Sequence, residues 1–206
     1  MKRWIAVGAL LFAVLFFGLR VAYFAQNPGP PPPTFKLGGK VDNFALRDLK
    51  GQSFQFYDVG RGSKATVVMF IATQCPISND YNPRMAALDR EYSAKGIKFI
   101  GINSNRQEPI PEVAEHAAKN GFGFTVYKDE NNVVADLFGA SFTPEVYVFD
   151  TGWVMRYHGR IDDSRQPEKV TVSDLRNALE ALLAGKDVPV QETKAFGCTI
   201  KRVKKP

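Results

Sequence analysis

The chain has 206 residues, 45% of them hydrophobic, so it is long enough to bury the core of a globular domain. Its formal net charge of +6 lies at the two ends, because residues 21–190 carry 19 basic and 20 acidic side chains. This neutral body excludes the basic stripe of a nucleic-acid groove, and its two cysteines exclude a four-cysteine zinc site. We therefore expect no nucleic-acid partner, no resident metal and no cofactor.

The N-terminus joins a basic start to a long apolar run. Lys2 and Arg3 precede an uncharged stretch over 4–19, and the run continues beyond Arg20. A helix over 4–25 would span about 33 Å, enough for a hydrocarbon core of about 30 Å. We predict a transmembrane anchor over residues 1–25. A cleaved signal is the alternative, but aromatic residues stand where its cleavage site would need small ones. The basic start predicts that the following chain lies on the extracytoplasmic, periplasmic side.

The remaining chain divides into a linker, a domain and a tail. Residues 26–39 contain four consecutive prolines, which favour an extended, semi-rigid spacer. We assign residues 40–190 to one domain. Residues 191–206 form a basic tail that carries Cys198, and we expect this tail to be a solvated end with a flexible approach.

Strand and helix patterns alternate along the domain. Residues 42–59 predict a hairpin that turns at Lys50-Gly51. Continuous apolar runs, typical of buried strands, and helix-spaced apolar residues then follow each other. Strands are predicted over 65–72, 97–103, "FTVYKD", 145–150 and 153–160, and helices over 79–95, 111–121, "NNVVADLFGA" and 172–183. The order predicts an α/β fold with a central mixed sheet flanked by helices, an N-terminal hairpin and a small β-α insertion.

The stretch "FIATQCPISND" places Cys75 between a predicted strand and a predicted helix. Reactive groups of open α/β sheets gather at the carboxyl ends of the strands. A helix N-terminus stabilises a thiolate over a thiol, and Pro76 suits the first helical position. Cys75 is therefore a candidate nucleophile, and a buried inert thiol is the alternative.

The segments "FALRDLKGQSF", "VVMFIATQCPIS" and "TPEVYVFD" together resemble the thioredoxin-like redoxin family, which includes membrane-anchored thiol-disulfide oxidoreductases and peroxiredoxin-like proteins. The resemblance covers roughly residues 40–202. It implies that Cys75 attacks the substrate and that Pro144 is a cis-proline facing the sulfur. It also implies substrate contacts from Thr73, Pro76, Thr143 and Pro144, with the Thr143 backbone pairing with an incoming chain.

The chain departs from the family pattern at Ser78, which stands where a CxxC motif has its second sulfur. Within the resemblance, Cys198 is the remaining sulfur that could resolve an intermediate on Cys75, and an external thiol reductant would restore both thiols. From the residues alone, the two cysteines could form one disulfide, stay reduced for chemistry or alternate between the two states, and an extracytoplasmic position favours their pairing.

Four functions share this fold. We favour disulfide exchange on a protein disulfide over peroxide reduction, because Ala72 occupies the place of the threonine that peroxiredoxins need. Arg84, Arg156 and Arg160 are the arginines that could serve a peroxidase. A copper-binding assembly factor would need a cysteine where Ile71 stands, and a non-catalytic binding module would use the two cysteines as a staple.

Two acidic pairs could suggest carboxylate sites. Asp162 and Asp163 are adjacent on the chain, and neighbouring residues of an extended segment point to opposite faces. We predict a turn or helix cap there and a solvated turn at Asp129-Glu130.

Overall fold

The computed structural model describes residues 34–204, so the anchor predicted over 4–25 lies outside the described residues. Within 34–204, no helix combines the length and the apolar character needed to cross a bilayer. The strands in chain order are β1 (Ala45–Arg47), β2 (Ser53–Gln55), β3 (Ala65–Phe70), β4 (Ile97–Asn103), β5 (Thr125–Lys128), β6 (Phe142–Thr143), β7 (Glu145–Asp150), β8 (Met155–Gly159) and β9 (Cys198–Thr199). The helices are α1 (Phe56–Val59), α2 (Pro76–Ser93), α3 (Ile110–Lys119), α4 (Val133–Phe138) and α5 (Asp174–Leu183), with a 3-10 turn at Pro167–Lys169.

The central sheet has five strands in the order β5-β4-β3-β7-β8. Strands β3, β4 and β5 are parallel, whereas β7 runs antiparallel to β3 and β8 antiparallel to β7. The predicted mixed sheet and N-terminal hairpin are confirmed. Because β7 is antiparallel, its first residue, Glu145, pairs with Phe70 at the end of β3. The carboxyl ends of the parallel strands and the start of β7 therefore share one edge.

The domain has one hydrophobic core on each face of the central sheet, because the side chains of β3 point alternately to the two faces. Val67 and Met69 point to one face of the sheet, and Val68 and Phe70 point to the other. The first face packs against α2, α3 and α5, and the second packs against the hairpin, α1 and α4. All six side chains of β3 are buried, as expected for a strand covered on both faces.

The observed helices differ in two places from those predicted by the spacing of apolar residues. Helix α2 begins at Pro76, three residues earlier than apolar spacing predicts, because a proline at the first position needs no intrahelical hydrogen bond. Short helix α1 lies inside the region predicted as a hairpin only.

The C-terminal tail is packed on the domain, contrary to the expected flexible approach. Ala195 and Ile200 are buried, and the Thr193 amide donates to the His158 carbonyl at 3.0 Å. Lys201 is exposed, but Arg202 forms an ion pair with Asp136 at 3.1 Å. The tail is thereby a structural part of the fold, because its hydrogen bonds and apolar contacts reach both sides of Cys198.

Candidate active site

Cys75 caps the N-terminus of α2. Its side chain is 3% exposed, and the backbone N–H of Ser78 points at its Sγ from 3.2 Å. Pro76 occupies the first helical position and is exposed. A negative charge on this sulfur would receive both a hydrogen bond and the positive end of the helix dipole. The position predicted for Cys75 is confirmed.

Cys75 and Cys198 form a disulfide, with their Cα atoms 5.9 Å apart. The two residues lie 123 positions apart in the sequence, so the tertiary fold brings them together. Cys198 is only partly buried. The expected proximity of the two sulfurs is confirmed.

The peptide bond between Thr143 and Pro144 is cis, and the Thr143 carbonyl oxygen lies 3.4 Å from Cys75 Sγ. The predicted cis-proline and its placement beside the sulfur are confirmed. The Thr143 backbone, however, already has a partner. It pairs with Cys198 in the two-residue ladder of β6 and β9, so the tail occupies the edge that we expected a substrate chain to use.

The loop before Cys75 is held by glutamates of the α3 region. The Thr73 and Gln74 amides donate to the Glu108 carboxylate at 2.9 and 3.0 Å, and the Thr73 hydroxyl donates to Glu112. The Thr73 side chain therefore points to a carboxylate. Ser78 Oγ, which stands at the CxxC sulfur position, is buried and accepts from the Ala72 amide.

Glu108 belongs to a buried polar network at the shared sheet edge. It is 0% exposed and also accepts from the side-chain amides of Asn103 and Asn105. Lys128 Nζ donates to Asn103 Oδ1 and to the Glu108 carbonyl at 2.7 and 2.6 Å. Burial lowers the pKa of Lys128, while the Glu108 charge opposes that shift. This network has no local signal in the sequence and was not predicted, because its members come from separate segments.

Glu145 holds the loop that contains the cis-proline. Its carboxylate accepts from the Ser141 and Phe142 amides at 2.7 and 2.8 Å, and from Tyr147 and His158 at 2.9 and 2.7 Å. Burial alone would raise the pKa of Glu145, but these hydrogen bonds, led by that from His158, lower it below its ordinary value. This role of Glu145 was not predicted, although its place directly after the "TP" pair is a signal in the sequence.

Protonation of Glu145 in acid should therefore lower the free energy of unfolding. Because its folded-state pKa lies below the unfolded value of about 4.5, its contribution is complete above that pH and is lost as the pH falls through the folded pKa. We expect Glu145→Gln to lower the free energy of unfolding by about 1.5–3 kcal/mol at neutral pH. The difference from wild type should shrink below about pH 4 in urea titrations. A difference that is constant with pH would contradict this role.

The three arginines considered for a peroxidase are each paired with a carboxylate. Arg84 contacts Asp162 at 2.6 Å, Arg156 contacts Asp150 at 2.6 Å, and Arg160 contacts Asp174 at 2.7 Å.

Both histidines form hydrogen bonds with side chains other than the two cysteines. His116 Nε2 lies 2.9 Å from Asn79 Oδ1, and His158 Nε2 lies 2.7 Å from Glu145 Oε1. Within residues 34–204, no three His, Cys, Asp or Glu side chains are grouped closely enough to share a metal ion.

The acidic pairs have structural partners. Asp162 is buried against Arg84, whereas Asp163 is half-buried and accepts from Thr171, so the two carboxylates do not converge. The prediction of a solvated turn at Asp129 was wrong. Its carboxylate is buried and caps α4 by accepting the amides of Val134 and Ala135.

Comparison with known proteins shows the family to which most of the described chain is similar. Residues 37–162 match the AhpC/TSA family. A hypothetical protein from Sinorhizobium meliloti 1021 is 32% identical, with a TM-score of 0.75 over 82% of this chain and 96% of that one. An uncharacterized conserved protein from Geobacillus kaustophilus is 33% identical, with a TM-score of 0.77 over 84% and 95%. Peroxidoxin BcpB from Mycobacterium tuberculosis shares the fold at 20% identity, with a TM-score of 0.55 over 73% and 97%. No curated protein matches the chain.

Proposed function

The chain belongs to the AhpC/TSA family, and we propose that it is a thiol-disulfide oxidoreductase in which Cys75 attacks and Cys198 resolves. The disulfide between Cys75 and Cys198 is the observation that carries the proposal, because it is the product that such a cycle would leave. The family makes the chain a thiol redox protein. The choice of a protein disulfide as substrate is ours.

The forward reaction uses the helix N-terminus. Cys75 thiolate, stabilised by the Ser78 N–H and the α2 dipole, attacks one sulfur of a substrate disulfide and expels the other as a thiolate. Cys198 thiolate then attacks Cys75 Sγ. The Cys75–Cys198 bond forms, and the second substrate thiolate leaves, so the substrate gains two electrons and the protein loses two.

The exposure of the two cysteines indicates which sulfur an external thiolate attacks when the disulfide is reduced again. Cys75 is 3% exposed, whereas Cys198 is partly open to solvent. An external thiolate therefore reaches the Cys198 sulfur more readily and expels Cys75 as the thiolate. This leaving group is favoured, because the Ser78 N–H and the N-terminus of α2 stabilise its thiolate. A second external thiol then releases Cys198 and leaves as a disulfide with the first.

Peroxide reduction is the second candidate, and one observation favours it. The tail lies on the Thr143 edge, so it restricts the access of a polypeptide substrate to this edge more than the access of a small oxidant. Against it, Ala72 supplies no hydroxyl, the Thr73 hydroxyl binds Glu112, and Arg84 is bound to Asp162. We therefore favour disulfide exchange.

Turnover of the two substrate types by the same protein tests this choice. Wild type with dithiothreitol should reduce insulin disulfides at least about tenfold faster than an equal concentration of hydrogen peroxide, since Cys75 lacks the peroxidase partners. Cys75→Ser should abolish both activities. Ser78→Ala should retain the preference, because the Ser78 hydroxyl accepts from the Ala72 amide, and the backbone N–H that faces the Cys75 sulfur is kept. Faster peroxide turnover that depends on Cys75 would instead support a thiol peroxidase.

The proposal includes a membrane tether and an extracytoplasmic, periplasmic domain. It is supported by the apolar run over 4–25, the preceding Lys2 and Arg3, and the proline-rich linker. A cysteine pair that cycles through a disulfide also suits an oxidising compartment. Full-length protein should remain with the membrane fraction after a carbonate wash. Release of the whole chain by that wash would argue against the tether.

A further inference from the structure

Gly197, the residue before Cys198, passes the Thr143-Pro144 peptide at a distance that leaves no room for a side chain. A Cβ at this position would lie 2.1 Å from the Thr143 carbonyl oxygen and 2.6 Å from its carbonyl carbon. Both are backbone atoms, so rotating a side chain cannot relieve the contact. The φ of Gly197 is not positive, so the requirement for glycine is one of space and not of backbone conformation.

The loop on one side of this contact is held in place. The buried Glu145 carboxylate accepts from the amides of Ser141 and Phe142, immediately before Thr143. Thr143 itself is 1% exposed. The loop therefore cannot retreat from an added methyl group without losing hydrogen bonds to a buried charge.

The tail on the other side is held on both flanks of Gly197. Before it, the Thr193 hydroxyl lies 2.8 Å from the Tyr157 hydroxyl and accepts from the Arg160 amide at 3.1 Å. After it, the Ile200 amide donates to the Ser141 carbonyl at 2.9 Å, and the Ile200 side chain is buried. These contacts do not involve the disulfide, so they can hold the tail in place when both cysteines are reduced.

We infer that Gly197 is the positioning residue that allows Cys198 to resolve an intermediate on Cys75, an inference that rests on the proposed function. With alanine at 197, the strand must move away from Thr143, and the Cys198 sulfur moves with it. Attack of Cys198 thiolate on Cys75 Sγ then slows, while the first attack by Cys75 on a small disulfide does not. The intermediate with the reagent bound to Cys75 therefore accumulates.

Stopped-flow mixing of reduced, full-length protein with less than one equivalent of dithionitrobenzoate separates the two steps. Wild type should release one thionitrobenzoate when Cys75 attacks the reagent and a second when Cys198 attacks the Cys75 sulfur. Gly197→Ala should retain the first phase and slow the second about a hundredfold, the order of loss expected when reacting groups are misplaced by about 1 Å. Mass spectrometry should then find thionitrobenzoate attached to Cys75.

Gly152→Ala is the matched control. Gly152 lies in the turn between β7 and β8, also without a positive φ, and its added Cβ would approach no closer than 3.3 Å, to a carboxylate oxygen of Asp150. Both phases should keep wild-type rates in this variant. A second phase slowed equally by both variants would overturn the inference, since the effect would then not depend on position.

The outcomes separate this inference from the proposed function. If wild type releases one thionitrobenzoate only and never joins Cys75 to Cys198, the proposed function fails. If wild type forms that disulfide and Gly197→Ala forms it equally fast, the function stands and the role of Gly197 is wrong. If the reduced Gly197→Ala variant does not fold, the inference is also overturned, because the substitution would then act on stability and not on the position of Cys198.

Discussion

Replacing Cys198 with serine should convert a transient mixed disulfide on Cys75 into a stable one. Serine at 198 preserves the size of the side chain, and the tail contacts at Thr193 and Ile200 do not depend on sulfur. Cys75 therefore still attacks, but no thiolate stands beside it to resolve the product. With the two Cα atoms only 5.9 Å apart in wild type, we expect the lifetime of the adduct to rise at least about a hundredfold.

The measurement is non-reducing electrophoresis and peptide mass spectrometry of material trapped from an envelope extract. Cys198→Ser should carry partner proteins that dithiothreitol releases, and the double variant Cys75→Ser/Cys198→Ser should carry none. Adducts on the single variant Cys75→Ser would show that Cys198 is the first attacking thiol. Wild-type turnover by Cys198→Ser without any adduct would show that resolution does not need Cys198.

Removing the Glu108 side chain should cost the protein about 3–5 kcal/mol of unfolding free energy. Glu108→Ala leaves the amides of Thr73 and Gln74 without their acceptor and removes the carboxylate whose charge most favours the charged form of the buried Lys128. Because those two amides belong to the loop that leads to Cys75, we also expect the reaction of Cys75 with dithionitrobenzoate to slow about tenfold.

Urea unfolding of the reduced proteins measures the first effect, and stopped-flow kinetics measures the second. Glu115→Ala is the control, because Glu115 is an exposed glutamate of α3, the helix that follows Glu108, and should change stability by less than about 0.5 kcal/mol. Glu108→Gln retains an acceptor and should lose less than the alanine variant. A Glu108→Ala protein as stable as the Glu115→Ala control would contradict a structural role for the network.

Local patterns in the sequence were sufficient for the main strands and helices and for one half of the site. The apolar run over 65–72 predicts a strand buried on both faces, which the structure has over Ala65–Phe70, and Cys75 with Pro76 marks the start of a helix. Such signals depend on residues within a few positions of each other, so they can be read without knowing the fold. The family resemblance added the cis bond before Pro144.

Contacts between distant segments were decided only by the tertiary structure. Cys198 meets Cys75 across 123 residues, and the tail that carries it pairs with Thr143 instead of remaining a solvated end. Buried Glu108 could not be distinguished in the sequence from a surface glutamate, because its partners follow β3 and β4 and reach it only when the strands align. The sequence by itself marked Cys75 and Cys198 as the candidate reactive residues. The packing of the chain decided which edge the tail covers, which charge is buried and how closely Gly197 passes Thr143, since each depends on atoms far apart along the chain.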